Sequence, residues 1–269
     1  MRLSALASIC LLAGAAYGVA GLETVGVAAA AESVSCDRPG HMVIVGGTDD
    51  PARIPAEVRE RAKGYGPAVE ALIKSYGASY IVRGRPFRIV EGEWPNWKSV
   101  VISTWPCRET GQVFWHSDKY QNEVKPLRKG SSSYIVGMFG RPTGHPKQTG
   151  QWTAEGGPSA KGLVCNKPVY FLVLTEVKDA ARLAAYRQKL AETAIQYVYG
   201  AVDITAGAPV EDLEGGWPKN LGAKTSRWPC VEAFDAFYAS AQYQAEIKPL
   251  REGSADFTAV ILEAASPGG

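Results

Sequence analysis

No sign of charge dominates this chain. Lys and Arg total 29 against 27 Asp and Glu, a formal net charge of +2, and acids and bases are interleaved without forming a block. That balance excludes the basic tract used against nucleic acid and the cationic amphipathic helix used against a membrane surface. Histidine is scarce, with 3 residues in 269. There is no nucleophile elbow, phosphate loop, zinc signature or dinucleotide fingerprint, so none of the chemistries those motifs carry is indicated. Past the N-terminal region no apolar run is long enough to span a bilayer. What is present is a globular composition, 46% hydrophobic and 21% charged, in a length that fits two domains.

The N-terminus has the layout of an export signal: one Arg, an apolar stretch in "MRLSALASICLLAGAAYGVAG", then small residues. Ala29-Ala30-Ala31 before Glu32 form an A-x-A cleavage site, so residues 1–31 are expected to be removed. The alternative is a retained anchor helix, which Glu23 and the Ala/Gly content disfavour. Bulky Ile9 before Cys10 argues against a lipidated cysteine. The expected product is periplasmic or secreted, with no stable membrane association after cleavage.

The remainder is written twice. "YQNEVKPLRKGS" starts at Tyr120 and "YQAEIKPLREGS" at Tyr243, 123 positions later, with nine of twelve residues identical. The same offset relates "EGEWP" at Glu91 to "EGGWP" at Glu214, and "WPC" at Trp105 to "WPC" at Trp228. A first unit over 36–140 and a second over 165–265 flank a Gly/Pro-rich linker, 141–164. In each, the apolar pattern predicts β-α-β-β-α-β. The first unit reads as strands "MVIVGG", "SYIVRG", "SVVISTW" and "SYIVGMF", a helix ended by Gly77, and a second helix stopped near Lys125 by Pro126. This is the ferredoxin-like split β-α-β order, a four-stranded antiparallel sheet with both helices on one face. The bare face would cost roughly 25 cal/mol per Å² of exposed apolar surface. Packing the two sheets face to face covers it. The expected fold is therefore α+β, an intramolecular barrel of about eight strands and a monomer with an internal pseudo-two-fold.

Four cysteines follow the signal: Cys36, Cys107, Cys165 and Cys230. Each unit has one before its first strand and one after its third, and in this topology those strands are antiparallel neighbours. The expected pairs are Cys36–Cys107 and Cys165–Cys230, each contributing about 4 kcal/mol in the chain-entropy model. Free thiols and a zinc site are the alternatives; no C-x-x-C spacing supports the latter.

The run "GRPFRIVEGEWP", "SVVISTWP", "VFWHSDKYQNEVKPLR" and a final apolar strand resembles the domain of unknown function 1330 family. The resemblance covers nearly the whole first unit and the second from Gly200 onward. It implies membership of the dimeric α+β barrel superfamily, which includes cofactor-free monooxygenases, lactone isomerases and haem enzymes, so the fold alone does not choose the chemistry. Most relatives are cytoplasmic homodimers; this chain departs in being exported, cysteine-bearing and fused.

Two functional classes stay open: a module binding a small organic molecule in the barrel cleft, or a cofactor-independent, monooxygenase- or isomerase-like enzyme acting there. No cofactor and no metal are expected. Weak catalytic candidates are His116, Glu91 and Glu214, the carboxylates serving either as bases near the barrel mouth or as turn residues beside a glycine. Ligand-contact candidates are Arg83, Trp94, Tyr120, Arg128, Trp217, Lys224, Arg227, Tyr243 and Arg251. Arg128 and Arg251 suit bidentate capture of an anion, or else pair with Glu123 and Glu246 at the helix end. Because packing roles duplicate with the fold, differences between the copies are the better guide. Arg83 becomes Ala206, His116 becomes Ala239, Val101 becomes Lys224 and Thr104 becomes Arg227. The third strand of the second unit has thus turned polar, which fits a hydrated pocket or, as the favoured expectation, a partly exposed sheet.

Overall fold

The computed structural model describes residues 36, 38–48, 50–140, 142 and 162–266. The export signal and most of the 141–164 linker fall outside them. The first half runs β1 (Gly40–Gly47), α1 (Ala56–Lys63), α2 (Tyr65–Ser75), β2 (Ser79–Gly84), β3 (Arg88–Glu91), β4 (Lys98–Trp105), α3 (Arg108–His116) and β5 (Ser133–Gly140). The second runs β6 (Val169–Val177), α4 (Ala180–Thr193), α5 (Ile195–Val198), β7 (Val202–Thr205), β8 (Glu211–Glu214), β9 (Leu221–Trp228), α6 (Val231–Tyr238) and β10 (Ala255–Glu263).

Local sequence explains the helix boundaries. In α2, Val69, Leu72 and Ile73 recur at helical spacing and are buried. The helix ends where Gly77 takes φ 72, with Gly77 N–H donating to Lys74 O and Ala78 N–H to Ile73 O. This is a glycine-dependent C-terminal cap. Gly200 repeats it, Ala201 N–H reaching Gln196 O. The second helix of each half does not run on to its proline as expected. α3 stops at Ser117, and the chain resumes as a π-turn, Lys119–Val124, followed by a 3-10 turn, Lys125–Arg128. The ring of Pro126 cannot sit against an α-helical carbonyl four residues back, and the widened turn relieves that contact. Tyr243–Ile247 and Lys248–Arg251 do the same around Pro249.

The sheets have five strands each, not four. Their orders are β2-β4-β1-β5-β8 and β3-β10-β6-β9-β7. Strands β3 and β8 leave their own half and pair antiparallel with the last strand of the other: Glu91 opposite Ala259, and Glu214 opposite Val136. Neither is among the strands read from sequence. "EDLE" has three charges in four residues, a composition that suits an edge strand but gives no apolar alternation. The exchange is anchored by Gly92 (φ 73) and Gly215 (φ 83), where a Cβ would lie 2.5 Å from Phe257 O and 2.0 Å from Tyr134 O.

Between the sheets, Val43, Val100 and Ile102 of one meet Leu172, Ala223 and Leu262 of the other in a buried core. Trp94 and Trp217 also sit there, their indole N–H groups donating to Lys98 O (3.0 Å) and Leu221 O (2.8 Å). The space between the sheets is thus packed. The opposite face of each sheet carries the helices over a second core, built on Met42, Trp105 and Phe114 in the first half and on Val169, Trp228 and Phe234 in the second. Strand β9 does not lie on an exposed sheet: it is flanked by β6 and β7, with Thr225 and Ser226 buried. Disulfides join Cys36 to Cys107 and Cys165 to Cys230, with Cα–Cα separations of 5.1 and 5.2 Å. No helix among the described residues is long and apolar enough to cross a membrane.

Candidate functional site

Each half holds a cavity on the helix-covered face of its sheet. The first, about 190 Å³, is lined by Tyr65, Val69, Tyr80, Arg83, Val101, Trp115, Tyr120, Arg128 and Tyr134 among others. The second, about 380 Å³, reaches from β7 and β9 to β10 under α4 and α5. Its walls include Phe171, Val173, Leu183, Tyr186, Leu190, Trp228, Phe237 and Phe257, with Lys224, Arg187 and Arg251 as cations.

One end of each cavity is built by the repeated phrase. Arg128 and Arg251 are each 7% exposed. Arg128 donates to both oxygens of Glu214, at 2.9 and 2.8 Å, and Lys125 adds a third contact at 2.9 Å. Arg251 Nη2 lies 2.8 Å from Glu91 Oε2. The expected partners, Glu123 and Glu246, instead face Lys119 and Lys189. The strand exchange supplies the carboxylate, so each arginine is neutralised by the opposite half. A buried guanidinium needs such a partner, and a bidentate carboxylate is the strongest available. Burial pushes against the Glu214 charge, but Arg128 and Lys125 outweigh it and hold the carboxyl below its usual range.

Aromatic rings complete the arrangement. Arg128 stands over Tyr65 and Tyr134, and Arg251 over Tyr186 and Phe257, the last at 3.8 Å from the ring centre. Arg251 also donates to the Tyr243 hydroxyl at 3.2 Å. Burial, reinforced by Tyr65 and Tyr186 respectively, drives the Tyr120 and Tyr243 hydroxyls far above their ordinary pKa, so both remain neutral donors. Burial likewise pushes Tyr80 up to about 12.

The halves differ elsewhere in their cavities. In the first, Arg83 reaches Glu70 at 3.3 Å, and Val101 supplies apolar wall. In the second, Ala206 and Lys224 stand at those positions, and Lys224 Nζ lies 3.3 Å from Asp203 Oδ1. Asp203 Oδ2 accepts the Tyr197 hydroxyl at 2.7 Å. Burial, then the Asp203 charge, raises the Tyr197 pKa.

Of the residues singled out from sequence, Arg83, Tyr120 and Arg128 line the first cavity, and Lys224, Tyr243 and Arg251 the second. Trp94 and Trp217 line neither; they are inter-sheet packing residues, as their indole bonds require. Arg227 alternates to the face of β9 opposite Lys224, where it acts on Tyr170. His116, its side chain 60% exposed, bonds Glu211 Oε1 at 2.9 Å and lines neither cavity. His116, Glu91 and Arg83 thus have three separate carboxylate or guanidinium partners and do not converge. Sequence reasoning missed Tyr65, Tyr186, Gln196, Tyr197 and Asp203. Tyr186 lies 121 positions after Tyr65, out of register with the 123-residue offset that exposed the other pairs. Gln196 and Asp203 were findable by the comparison that revealed Lys224, since their counterparts are Ile73 and Tyr80. Among the described residues, no group of three or more His, Cys, Asp or Glu is placed to hold a metal ion.

The model of the family described as Domain of unknown function (DUF1330) matches residues 52–139 and again residues 168–265. No curated protein sequence matches the chain. Among solved structures, a candidate monooxygenase from Fusobacterium nucleatum subsp. nucleatum superposes with a TM-score of 0.51 at 8% identity, covering 85% of this chain and 93% of that one. A chlorite dismutase variant from Candidatus Nitrospira defluvii, solved with cyanide, gives 0.47 at 12% identity over 85% and 91%. The first of these likenesses concerns the fold alone, an α+β barrel, here built from two sheets of one polypeptide. The chain belongs to the DUF1330 family and carries its domain twice.

Proposed function

From a family membership that defines the fold and leaves the chemistry open, we propose that this chain binds a small organic molecule in the cavity of its second half. The ligand is largely apolar or aromatic and carries an acidic group. The supporting observation is the cavity itself: about 380 Å³ of aromatic and aliphatic wall, with Arg187 and the Asp203-paired Lys224 facing it in addition to the Glu91-paired Arg251. A volume of that size suits a compact organic molecule, and pockets of this kind combine apolar walls with a few orienting polar groups. Binding is favoured over turnover because His116, Glu91 and Arg83 do not meet. The site lies on the helix side of the sheet, not in the barrel interior. The protein works as an exported monomer in an oxidising compartment, a setting its two disulfides fit.

Native mass spectrometry with 1-anilinonaphthalene-8-sulfonate, an aromatic anion, tests this. One bound molecule is expected, with affinity about tenfold weaker in Lys224→Val, the loss typical of one charge-assisted hydrogen bond. Absent binding, or an affinity indifferent to Lys224, would contradict the proposal.

A further inference from the structure

The second cavity contains a polar chain that the first lacks. Gln196, Tyr197, Asp203 and Lys224 all line it. At the 123-residue offset their counterparts are Ile73, Lys74, Tyr80 and Val101. Duplication copied the Arg–Tyr–Glu scaffold faithfully, so a set of polar residues facing one cavity alone is a departure from the shared packing plan. Polar groups in such a place are costly unless something meets them.

The order of hydrogen bonds in this chain is fixed by proton counting. The Tyr197 hydroxyl donates its single proton to Asp203 Oδ2 at 2.7 Å. The Tyr197 oxygen is left able only to accept. Gln196 lowers the pKa of that hydroxyl, the effect of a donor, so the amide N–H is the end assigned to it. Its oxygen, Oε1, is left over, on a residue only 5% exposed, with no hydrogen-bond partner among the described residues. At the other end of the chain Lys224 Nζ gives one contact, 3.3 Å to Asp203 Oδ1, and keeps further N–H groups to offer.

Gln196 thus holds a lone buried acceptor in the cavity wall, which a ligand meets once the amide turns toward it, and Lys224 a cationic donor, with Tyr197 and Asp203 between them and aromatic wall around. We infer that its ligand is an aromatic hydroxy acid: the hydroxyl donates to Gln196 Oε1, and the carboxylate receives Lys224. Arg187, at the exposed edge of α4, has no ion pair among the described residues and attracts the acid on entry. Gln196 is then the residue that distinguishes a hydroxylated aromatic acid from its plain analogue. A buried acceptor left unpaired penalises the ligand that lacks the donor, and this is how polar sites discriminate strongly between near-isosteres. The inference rests on the cavity-binding proposal and adds to it the identity of the polar head.

The test is calorimetric titration of the full chain with benzoate and with 2-, 3- and 4-hydroxybenzoate. At least one hydroxybenzoate is expected to bind about tenfold more tightly than benzoate. In Gln196→Leu that ratio should fall to about one, whereas Lys224→Val should weaken benzoate and hydroxybenzoate alike. If Gln196→Leu does not fold, Tyr197→Phe replaces it: without the hydroxyl the amide is free to rotate, and the preference should shrink to a few-fold. Equal binding of benzoate and every hydroxybenzoate, or a preference that survives Gln196→Leu, overturns the inference. Anilinonaphthalene sulfonate bound in a Lys224-dependent way, with no hydroxyl preference among the benzoates, sinks this inference alone. Failure of every aromatic acid to bind sinks the cavity proposal with it.

Discussion

The two halves agree where they hold each other and differ where they face their cavities. Tyr120 and Tyr243, Arg128 and Arg251, and Glu214 and Glu91 occupy equivalent places, and each arginine is neutralised by a carboxylate from the other half. Around the cavities the match fails: Arg83 against Ala206, Val101 against Lys224, Tyr80 against Asp203. A gene duplication retains in both copies whatever the shared architecture needs. Residues the architecture does not need are free to diverge, and here the divergence includes the lining of one pocket.

The largest expected effect should not distinguish the halves. Cys107→Ala and Cys230→Ala open loops with sequence separations of 71 and 65, and each should cost roughly 4 kcal/mol by the loop-entropy relation. Urea unfolding of the two variants should give nearly equal losses; a twofold disparity would show that the halves are not held alike. The exchanged carboxylates should separate the halves. Glu214→Ala strands Arg128, which is buried, and should cost on the order of 3 kcal/mol. Glu91 makes a single contact and its side chain is 35% exposed, so Glu91→Ala should cost about half as much. Equal losses would mean that the second Arg128 contact and the Lys125 contact contribute nothing.

A pH series sharpens the same contrast. The folded Glu214 carboxyl lies below its ordinary value of 4.5, held there by Arg128 and Lys125 against the effect of burial. A depressed folded pKa stabilises the protein above the unfolded value, and that stability is lost as the pH falls through the folded one. Wild-type protein should therefore lose stability below about pH 4.5, and Glu214→Ala should lose less over that window. An unchanged slope would remove the ion pair from the account. The smallest effect belongs to His116→Ala, which installs the residue of the second half. The pair with Glu211 is solvent-exposed, so the change should be under about 1 kcal/mol. A larger loss would give His116 a role the geometry does not supply.

The duplication, the α+β order and the facing sheets were legible because they rest on features that sequence carries directly: a constant offset, apolar alternation, and glycines at Gly77 and Gly200 placed to end helices. The exchanged strands were not legible. "RIVE" and "EDLE" take their structure from the strand they join, Ala255–Glu263 or Ser133–Gly140, and a short charged edge strand has no periodicity of its own. Missing them misassigned the partners of Arg128 and Arg251, whose carboxylates lie 86 and 160 positions away in the chain. That the described cavities lie on the helix-covered face was not legible for a related reason. Alternation shows that Lys224 and Thr225 point in opposite directions, but not which of the two faces is close-packed. That depends on Trp94, Trp217 and their neighbours filling the inter-sheet space.

The account depends most on the second cavity being the occupied one. Ala206 lines it at an exposed position, and Gly66 lines the first, where an added Cβ meets only Arg83 at an ordinary 3.5 Å. Binding of 1-anilinonaphthalene-8-sulfonate, measured for Ala206→Phe and Gly66→Leu by fluorescence titration, compares the two pockets in one experiment. The account predicts that Ala206→Phe abolishes binding while Gly66→Leu leaves it within about twofold of wild type. Binding lost in Gly66→Leu and kept in Ala206→Phe would contradict it.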